Sequence, residues 1–543
     1  MMIKRIVSFV STALLFISGA AAQSGKSALE VKGRVIDIVA VKRGEPVFPQ
    51  GGNTLKYGDS TPKSILGKES ALSIADLKGP QQVRSNKKCR ILAAVDHPDA
   101  ESGGWTPTGE KFVIAGKGQV IRYYLYQYDY SVPGQWVDVP QPSKGGVSTI
   151  IYGDRITVAE VIPPPGTVIA KVARLRKSMV TNPTLVILPN GDYVAACSGV
   201  FMKPGEKPGA TYFRSKDKGK SWKVLSKNNG YINFYNLFMH DGVLYSMGTE
   251  STGDSRNVII RRSDDGGSTW TFPQDPFSDG VIKRGRFSTA PVPVVVHNGR
   301  IWRAMETGVK GEHPRAFLMS APVGADLMKA ESWTSTNGIA FDPKWFDKDL
   351  VVKQWVEGNA VVAPDGKVVD VIRVDNWSDG NTAAILTAED PNTLTFDPRK
   401  DIIEFPGGGK KFTIRYDSVS GKYWALTNPV FEHDKNRTHS GIYRKGVHCG
   451  LLRNNLALIS SDDLRHWEIK DLLITSDNPF FHGFQYVDWQ FEDNDIVAVI
   501  RTAFDEERGL PKRQHDANML VFMRFSNFRT EKIPTIKINS FNQ

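Results

Sequence analysis

The chain is poor in cysteine. Its 543 residues hold three, Cys89, Cys197 and Cys449. An odd number declares no disulfide framework: at most one bridge can form, and one thiol stays free. Long apolar runs are missing after the first residues, and no later segment has the ~18 apolar residues of a membrane-spanning helix. No long stretch repeats its apolar residues with the helical period, so a substantial helical domain is not expected. Acidic residues are fewer than basic ones, 58 Asp and Glu against 69 Lys and Arg, a formal net charge of +11. A positive balance attracts anions. The basic residues are spread out and come with no nucleic-acid-binding motif, so nucleic acid is not the expected partner. An acidic polysaccharide or oligosaccharide fits better, and a solvated basic surface with no partner is the plainer alternative.

The one apolar run that is present opens the chain. Lys4 and Arg5 precede a mostly apolar stretch from Ile6 to Ile17, and Ala20-Ala21-Ala22 follows as a small-residue cleavage site. The pattern predicts a signal peptide over residues 1–22 and a mature chain starting near Gln23, with a membrane anchor as the alternative reading. The protein is therefore expected to be exported, to a bacterial periplasm or the medium. Roughly 520 mature residues suffice for one large core or several domains.

Two short stretches carry the most information: Ser215-Lys-Asp217-Lys-Gly219-Lys-Ser221-Trp222 and Ser263-Asp-Asp265-Gly-Gly267-Ser-Thr269-Trp270. Both read S-x-D-x-G-x-[ST]-W. Ser and Asp side chains accept backbone N–H bonds in tight turns, Gly takes a positive φ, and Trp packs sideways on apolar surface. The tryptophans are about 48 residues apart, a spacing within the range of propeller blades. A degenerate third copy is expected at Ser460-Ser-Asp462-Asp-Leu-Arg-His-Trp467.

Strand–turn–strand signals surround these turns. They run over 182–194, 234–245, 291–302, 359–369, 412–424 and 484–501, most joined at Asn-Gly or Asp-Gly. They give six repeat units from about residue 178 to 530. Further strand signal lies upstream, at Leu29–Val41, Phe112–Ala115 and Val120–Gln127, while Gly51-Gly52-Asn53 and Pro163-Pro164-Pro165-Gly166 read as loops. The expectation is an all-β chain folded as a β-propeller of seven blades, with six as the alternative. Residues 23–174 would close the ring and contribute one blade, 175–532 would form the repeats, and 533–543 a tail. Radial closure protects the strand edges.

The S-x-D-x-G-x-[ST]-W turns resemble the Asp-boxes of sialidase-like propellers. The strings His482-Gly-Phe-Gln-Tyr-Val-Asp-Trp489, Arg501-Thr-Ala-Phe, His515-Asp-Ala-Asn518 and Val296-His-Asn-Gly-Arg-Ile-Trp-Arg-Ala-Met-Glu306 resemble exported bacterial members of that group. These include an α-L-rhamnosidase family acting between rhamnose and glucuronic acid, and the related ulvan lyases. The resemblance covers about residues 175–530 and implies a carbohydrate-active propeller. It also implies, for true sialidases, an arginine triad for the substrate carboxylate and a Tyr nucleophile with a Glu partner. The chain departs from these relatives. Met179-Val-Thr-Asn-Pro183 lacks the first sialidase arginine. Ala196-Cys197-Ser198 and Phe287-Ser288-Thr289 lack the lyase histidines, and no histidine precedes His97.

The densest polar cluster is C-terminal and flanks strands of the last two units, which a propeller brings to one axial mouth. Cleaving an acidic glycan needs an acid, a base or nucleophile, and cations for the carboxylate. His482, Tyr486, His515 and, in the third unit, Glu306 are the candidates for catalysis. Arg453, Arg501, Asn454, Gln485 and Arg303 are the candidates for substrate binding, the arginines as bidentate clamps. Asp488 and Asp516 could instead neutralise the arginines in a structural polar plug. Asp217, Asp265 and Asp462 are expected to serve their own turns. No cofactor is required by this chemistry. A structural zinc on Cys449, His482 and His515, with His448 or His439 as fourth ligand, is the metal alternative, although no C-x-x-C or H-E-x-x-H spacing supports it. The leading expectation is an exported glycoside hydrolase, ahead of a polysaccharide lyase, acting on a uronate-containing glycan. A catalytically inactive glycan-binding propeller and an exo-sialidase are the alternatives.

Overall fold

The computed structural model describes residues 28–539 apart from 34–36, 46, 48–54, 73–79, 101–102, 117–118, 144–148, 160, 173–177, 202–208, 228–230, 253–254, 309–310, 439–445, 508, 510 and 512. The expected signal peptide, the mature start near Gln23, Gly51-Gly52-Asn53 and His439 lie outside the described residues. Among the described residues there are strands and four single-turn 3-10 helices, with no α-helix.

Six sheets follow one another from residue 167 onward. Blade 1 runs outward through Thr181–Ile187, Tyr193–Ser198, Ala210–Ser215 and Lys223–Lys227. Blade 2 is Asn233–His240, Val243–Thr252, Ser255–Ser263 and Val281–Lys283. Blade 3 has a split inner strand, Phe287–Ser288 and Val295–His297, on Arg300–Thr307 and then Arg315–Pro322. The split contains Pro291 and Pro293, which cannot donate to the ladder. Blade 4 is Val352–Val362, Val368–Asn376, Thr382–Asp390 and Thr393–Thr395. Blade 5 is Thr413–Asp417, Lys422–Thr427, Asn455–Ser461 and Glu468–Ser476, and Ile536–Ile538 adds to it in parallel. Blade 6 is Gly483–Glu492, Asp495–Ala503 and Met519–Phe525, and its outermost strand, Thr167–Lys171, comes from before blade 1.

Middle strands buried along nearly their whole length, such as Tyr193–Ser198 and Asp495–Ala503, give each sheet two buried faces, so each blade packs on two neighbours. Separate buried apolar layers lie between blades 1 and 2, 2 and 3, 3 and 4, 4 and 5, and 5 and 6. A sixth layer, with Leu185 and Tyr193 against Val499 and Phe522, joins blade 6 to blade 1 and closes the ring. Six blades make up the β-propeller, and among the described residues the N-terminal strands do not form the expected seventh.

Those strands make two sheets of their own. In one, Ala28–Gly33 lies between Pro80–Ser85 and Arg155–Val158. The other has seven strands, including Cys89–Val95, Thr106–Gly116 and Gln119–Tyr130. They share a core that includes Leu29, Val83, Ile91 and Tyr126, and the seven-stranded sheet buries Tyr123 and Leu125 on its opposite face. Apolar alternation marks a strand but does not say which sheet it joins. With six hairpins and one closing strand the ring is already complete. The division at 174/175 therefore falls elsewhere in the structure: the two-sheet unit ends at Val158, and the ring starts at Thr167. The expected tail contributes the strand Ile536–Ile538.

The two full turns fold alike. Asp217 accepts from the Ser221 N–H at 2.9 Å, Ser215 Oγ accepts from the Gly219 N–H at 2.9 Å, and Trp222 Nε1 donates to the Gly219 carbonyl at 3.1 Å. Asp265, Ser263, Gly267 and Trp270 repeat this at 2.9, 2.8 and 3.1 Å. Gly219 has φ 86°, and a Cβ there would stand 2.1 Å from Phe522, so only glycine fits. The third copy is set one residue later than the sequence suggests. Ser461 and Asp463 make the turn bonds, to the N–H of Leu464 and of Arg465 and His466, while Asp462 pairs with Lys422 on the surface. All three cysteines are free thiols.

Candidate active site

Four inner strands carry the same irregularity. Register slips between Thr181 and Thr184, Asn233 and Asn236, Val356 and Asn359, and Gln485 and Asp488. Each slip leaves one non-glycine residue in the left-handed region: Asn182 at φ 53°, Phe234 at 54°, Glu357 at 67° and Tyr486 at 54°. Such a conformation costs about 1–2 kcal/mol per residue, and its recurrence at one level of the ring marks it as a built feature.

In blades 4 and 6 the bulges bring two reactive groups together. The Tyr486 hydroxyl donates to Glu357 Oε1 at 2.5 Å. The other oxygen of Glu357 accepts from Arg373 Nη1 at 2.6 Å, and Arg373 Nη2 reaches Asp375 at 3.1 Å. The guanidiniums of Arg453 and Arg501 lie 5.6 and 4.9 Å from the centre of the Tyr486 ring. Arg453 donates to Gln485 Oε1, and Gln485 Nε2 in turn donates to the carbonyls of Gln514 and His515. Arg501 donates to the His515 carbonyl at 2.7 Å and ends beside Met179 Sδ at 3.5 Å. A guanidinium thus stands next to the stretch that lacks its own arginine, delivered from the neighbouring blade.

The electrostatics follow from burial. Burial, reinforced by the Glu357 charge, raises the Tyr486 phenol above its ordinary value, so it keeps its proton at rest. Burial lowers Arg453 to about 10 and also lowers Arg501. Arg373 is driven the other way: against the effect of burial, Glu357, Tyr486 and Asp375 hold it above its ordinary value. Among the described residues neither Arg453 nor Arg501 has a carboxylate partner within salt-bridge distance. Buried cations of that kind suit an anionic ligand. Nearby, Lys410 is fully buried, and burial followed by the Arg453 charge lowers it to about 7.

Beneath this pair runs a collar of buried polar side chains that links each blade to the next. Asp488 accepts from Thr184 Oγ1 and the Leu185 N–H at 2.8 and 2.9 Å. Thr184 accepts from the Leu237 N–H at 2.9 Å. Arg303 donates to Asn236 and to the Phe234 carbonyl. Glu306 Oε1 accepts from the Gly358 N–H at 2.9 Å. Asn359 accepts from the Ile414 N–H at 3.2 Å, and Lys411 Nζ and Thr413 Oγ1 donate to the Val487 carbonyl at 2.8 and 2.9 Å. The structural plug and the arginine cluster therefore both exist, one below the other. Asp488 belongs to the plug, where Arg415 lies 3.5 Å away, and Asp516 pairs with Arg513 and His515.

Of the residues chosen from sequence, Tyr486, Arg453 and Arg501 meet at the mouth, with Gln485 and the His515 backbone as supports. Five expectations from the sequence need correction. His482 is fully buried, held by Ser476 at 2.7 Å and Asp505 at 3.0 Å and stacked on Phe504, so it is a core histidine. Asn454 is buried on Asp434 and the Ser476 carbonyl. Arg303 and Glu306 are fully buried in the collar and do not reach the mouth. The His515 ring turns away to Asp516 at 2.8 Å, and burial lowers it to about 4. For the zinc alternative, no group of three His, Cys, Asp or Glu side chains among the described residues could hold a metal ion. Cys449 Sγ is engaged by the Ser378 carbonyl at 3.1 Å.

Sequence reasoning missed Glu357, Arg373 and Asp375. A signal was present. Asn182, Phe234, Glu357 and Tyr486 each stand eight or nine residues ahead of a hairpin turn, at Gly191, Gly242, Gly366 and Asn494. Aligning the hairpins on their turns puts Glu357 and Tyr486 at one level.

No protein-family pattern matches the chain, and no curated protein matches it in sequence. Solved structures do resemble it. An α-L-arabinanase of Penicillium chrysogenum, complexed with arabinobiose, aligns at 14% identity over 67% of this chain and 98% of its own, with a TM-score of 0.42. The NanB sialidase of Streptococcus pneumoniae aligns at 11% identity over 92% and 95%, with a TM-score of 0.42. A sialidase of Trypanosoma rangeli aligns at 16% over 64% and 55%, with a TM-score of 0.40.

Proposed function

We propose that the chain is a glycoside hydrolase that cleaves a glycan carrying a carboxylate-bearing sugar, with retention of configuration through a tyrosyl intermediate. The observation that supports this most is the Tyr486–Glu357 hydrogen bond, ringed by Arg373, Arg453 and Arg501. Arg453 and Arg501 take the sugar carboxylate, each presenting several donors in a planar fork. Arg373 holds and aims Glu357. As the phenol oxygen of Tyr486 attacks the anomeric carbon, the glycosidic bond breaks, Glu357 takes the phenol proton, and the departing oxygen takes a proton from water. A neutral nucleophile suits an anionic substrate, because a carboxylate would be repelled by the charge of the sugar. In the second half-reaction water attacks the anomeric carbon and releases its proton to solvent, the bond to Tyr486 breaks, and the protonated Glu357 returns its proton to the Tyr486 oxygen.

Incubation with a panel of acidic oligosaccharides, with products followed by mass spectrometry, tests the reading. Hydrolysis, with a tyrosyl-linked sugar on a Tyr486 peptide after rapid quenching, is the expected result. A product with a 4,5-unsaturated uronate would mean a lyase instead. Tight binding without turnover would make the chain a glycan-binding propeller.

A further inference from the structure

The two reactive residues stand on distorted backbone, and each distortion frees a peptide group from its ladder. The slip between Val356 and Asn359 leaves Gly358 unpaired, and that between Gln485 and Asp488 leaves Val487 unpaired. In each case a buried ionisable residue of the preceding blade catches the freed group. Glu306 of blade 3 accepts from the Gly358 N–H at 2.9 Å, and Lys411, just before the inner strand of blade 5, donates to the Val487 carbonyl at 2.8 Å. Blade 1 has the same slip but carries Pro183 at that place, which has no N–H to catch. A Cβ at Gly358 would lie 2.0 Å from Asp370 Oδ1, so any larger residue there would have to push that carboxyl aside.

We propose that Glu306 and Lys411 are positioning residues that lock Glu357 and Tyr486 in their left-handed conformations and so hold the two side chains in hydrogen-bond contact. The inference rests on the function proposed above for this pair. A buried peptide group without a partner is costly, so without the collar each bulge relaxes towards the regular ladder. That relaxation would swing Glu357 or Tyr486 away from its partner. Glu306 is fully buried, and burial raises its carboxyl well above the ordinary range. It accepts through Oε1, a role that a glutamine oxygen can also fill.

The test uses Glu306→Leu, Glu306→Gln and Lys411→Met in the full chain. With an aryl glycoside of a carboxylate-bearing sugar, Glu306→Leu should lower kcat about 100-fold, and Lys411→Met, which leaves the Thr413 Oγ1 bond to the Val487 carbonyl in place, about 10-fold. KM should stay within about threefold, because the arginines are untouched. Glu306→Gln should restore nearly the wild-type kcat. Crystal structures supply a readout independent of turnover: in Glu306→Leu, residue 357 should leave the left-handed region and the Tyr486–Glu357 contact should open. A full kcat in Glu306→Leu, equal damage in Glu306→Gln, or an unchanged bulge in the crystal would each overturn the proposal. Should Glu306→Leu not fold, Lys411→Met against Glu306→Gln decides by the same kcat and structural readouts. If the wild type turns over no substrate, the hydrolase reading fails while the crystal structures still judge the positioning role.

Discussion

Blades 1 and 2 bend their inner strands at the same level as blades 4 and 6, yet only the second pair carries reactive groups. In blades 1 and 2 the left-handed residues are Asn182 and Phe234. Asn182 donates to Asn233 at 2.8 Å and accepts from the Phe234 N–H at 3.1 Å, tying the two blades together. In blades 4 and 6 they are Glu357 and Tyr486, which meet each other across the mouth. The repeated backbone supplies positions, and the residue at each position decides between structure and chemistry. Blade 5 sits between the reactive blades and contributes a buried lysine from below.

The sharpest break of this contrast puts the residue of blade 2 into blade 6. Tyr486→Phe keeps the ring under Arg453 and Arg501 but removes the phenol oxygen, the nucleophile of the proposed mechanism. Turnover should drop by on the order of 10⁴-fold or more, while calorimetry shows acidic oligosaccharide still bound. The same assay on Phe234→Leu should show most of the activity retained.

The next effect separates scaffold from site. Trp222 packs at 5.6 Å on Phe522, and Trp270 stacks on Tyr212 at 4.7 Å. Truncating either to alanine should cost about 3 kcal/mol of stability, seen in denaturant unfolding, with the affinity of the folded protein unchanged. An unchanged unfolding midpoint would show that these turns do not support their blades.

A smaller effect is expected at the arginines. Arg453→Met and Arg501→Met should each weaken binding of an acidic oligosaccharide about 10- to 100-fold, measured by calorimetry at low and moderate salt. Arg256, which lies 5.8 Å from the ring of Phe234 in blade 2, serves as the control. Its replacement should leave affinity nearly unaltered. Equal binding by wild type and Arg501→Met would remove this arginine from the site.

The smallest effect is a pH dependence at the rim of blade 6. Burial lowers His515 from 6.5 to about 4 in the folded protein. As pH falls below about 6.5 the unfolded chain takes up a proton that the folded one refuses. The contribution of His515 to stability is therefore complete above that pH and is lost as pH drops towards 4. Thermal unfolding at a series of pH values should show this slope, and His515→Gln should flatten it.

Much of the ring was legible. The six strand–turn–strand signals coincide with the inner hairpins of the six blades, because Asn-Gly and Asp-Gly turns and apolar alternation are local properties. The third S-x-D turn lies one residue later than the sequence suggests because Ser460-Ser461 and Asp462-Asp463 are doubled, and only hydrogen bonding tells which serine and aspartate make the turn. Tyr486, Arg453 and Arg501 were found as polar residues flanking the last strands. His482 and Asn454 looked equivalent in the same stretches, but they point into the core, and strand-end residues do not announce which way they face.

The sequence by itself determined the strands, the turns and the repeat, since each depends on residues within a short span. The tertiary structure alone decided the rest. It fixed the blade count, because strand pattern does not name a partner sheet. It also paired Glu357 with Tyr486 across 129 residues, and it buried Glu306 and Arg303 below the mouth. The reason is geometric: the bulges and the ring closure set which side chains share the axis, and neither is encoded in any one segment.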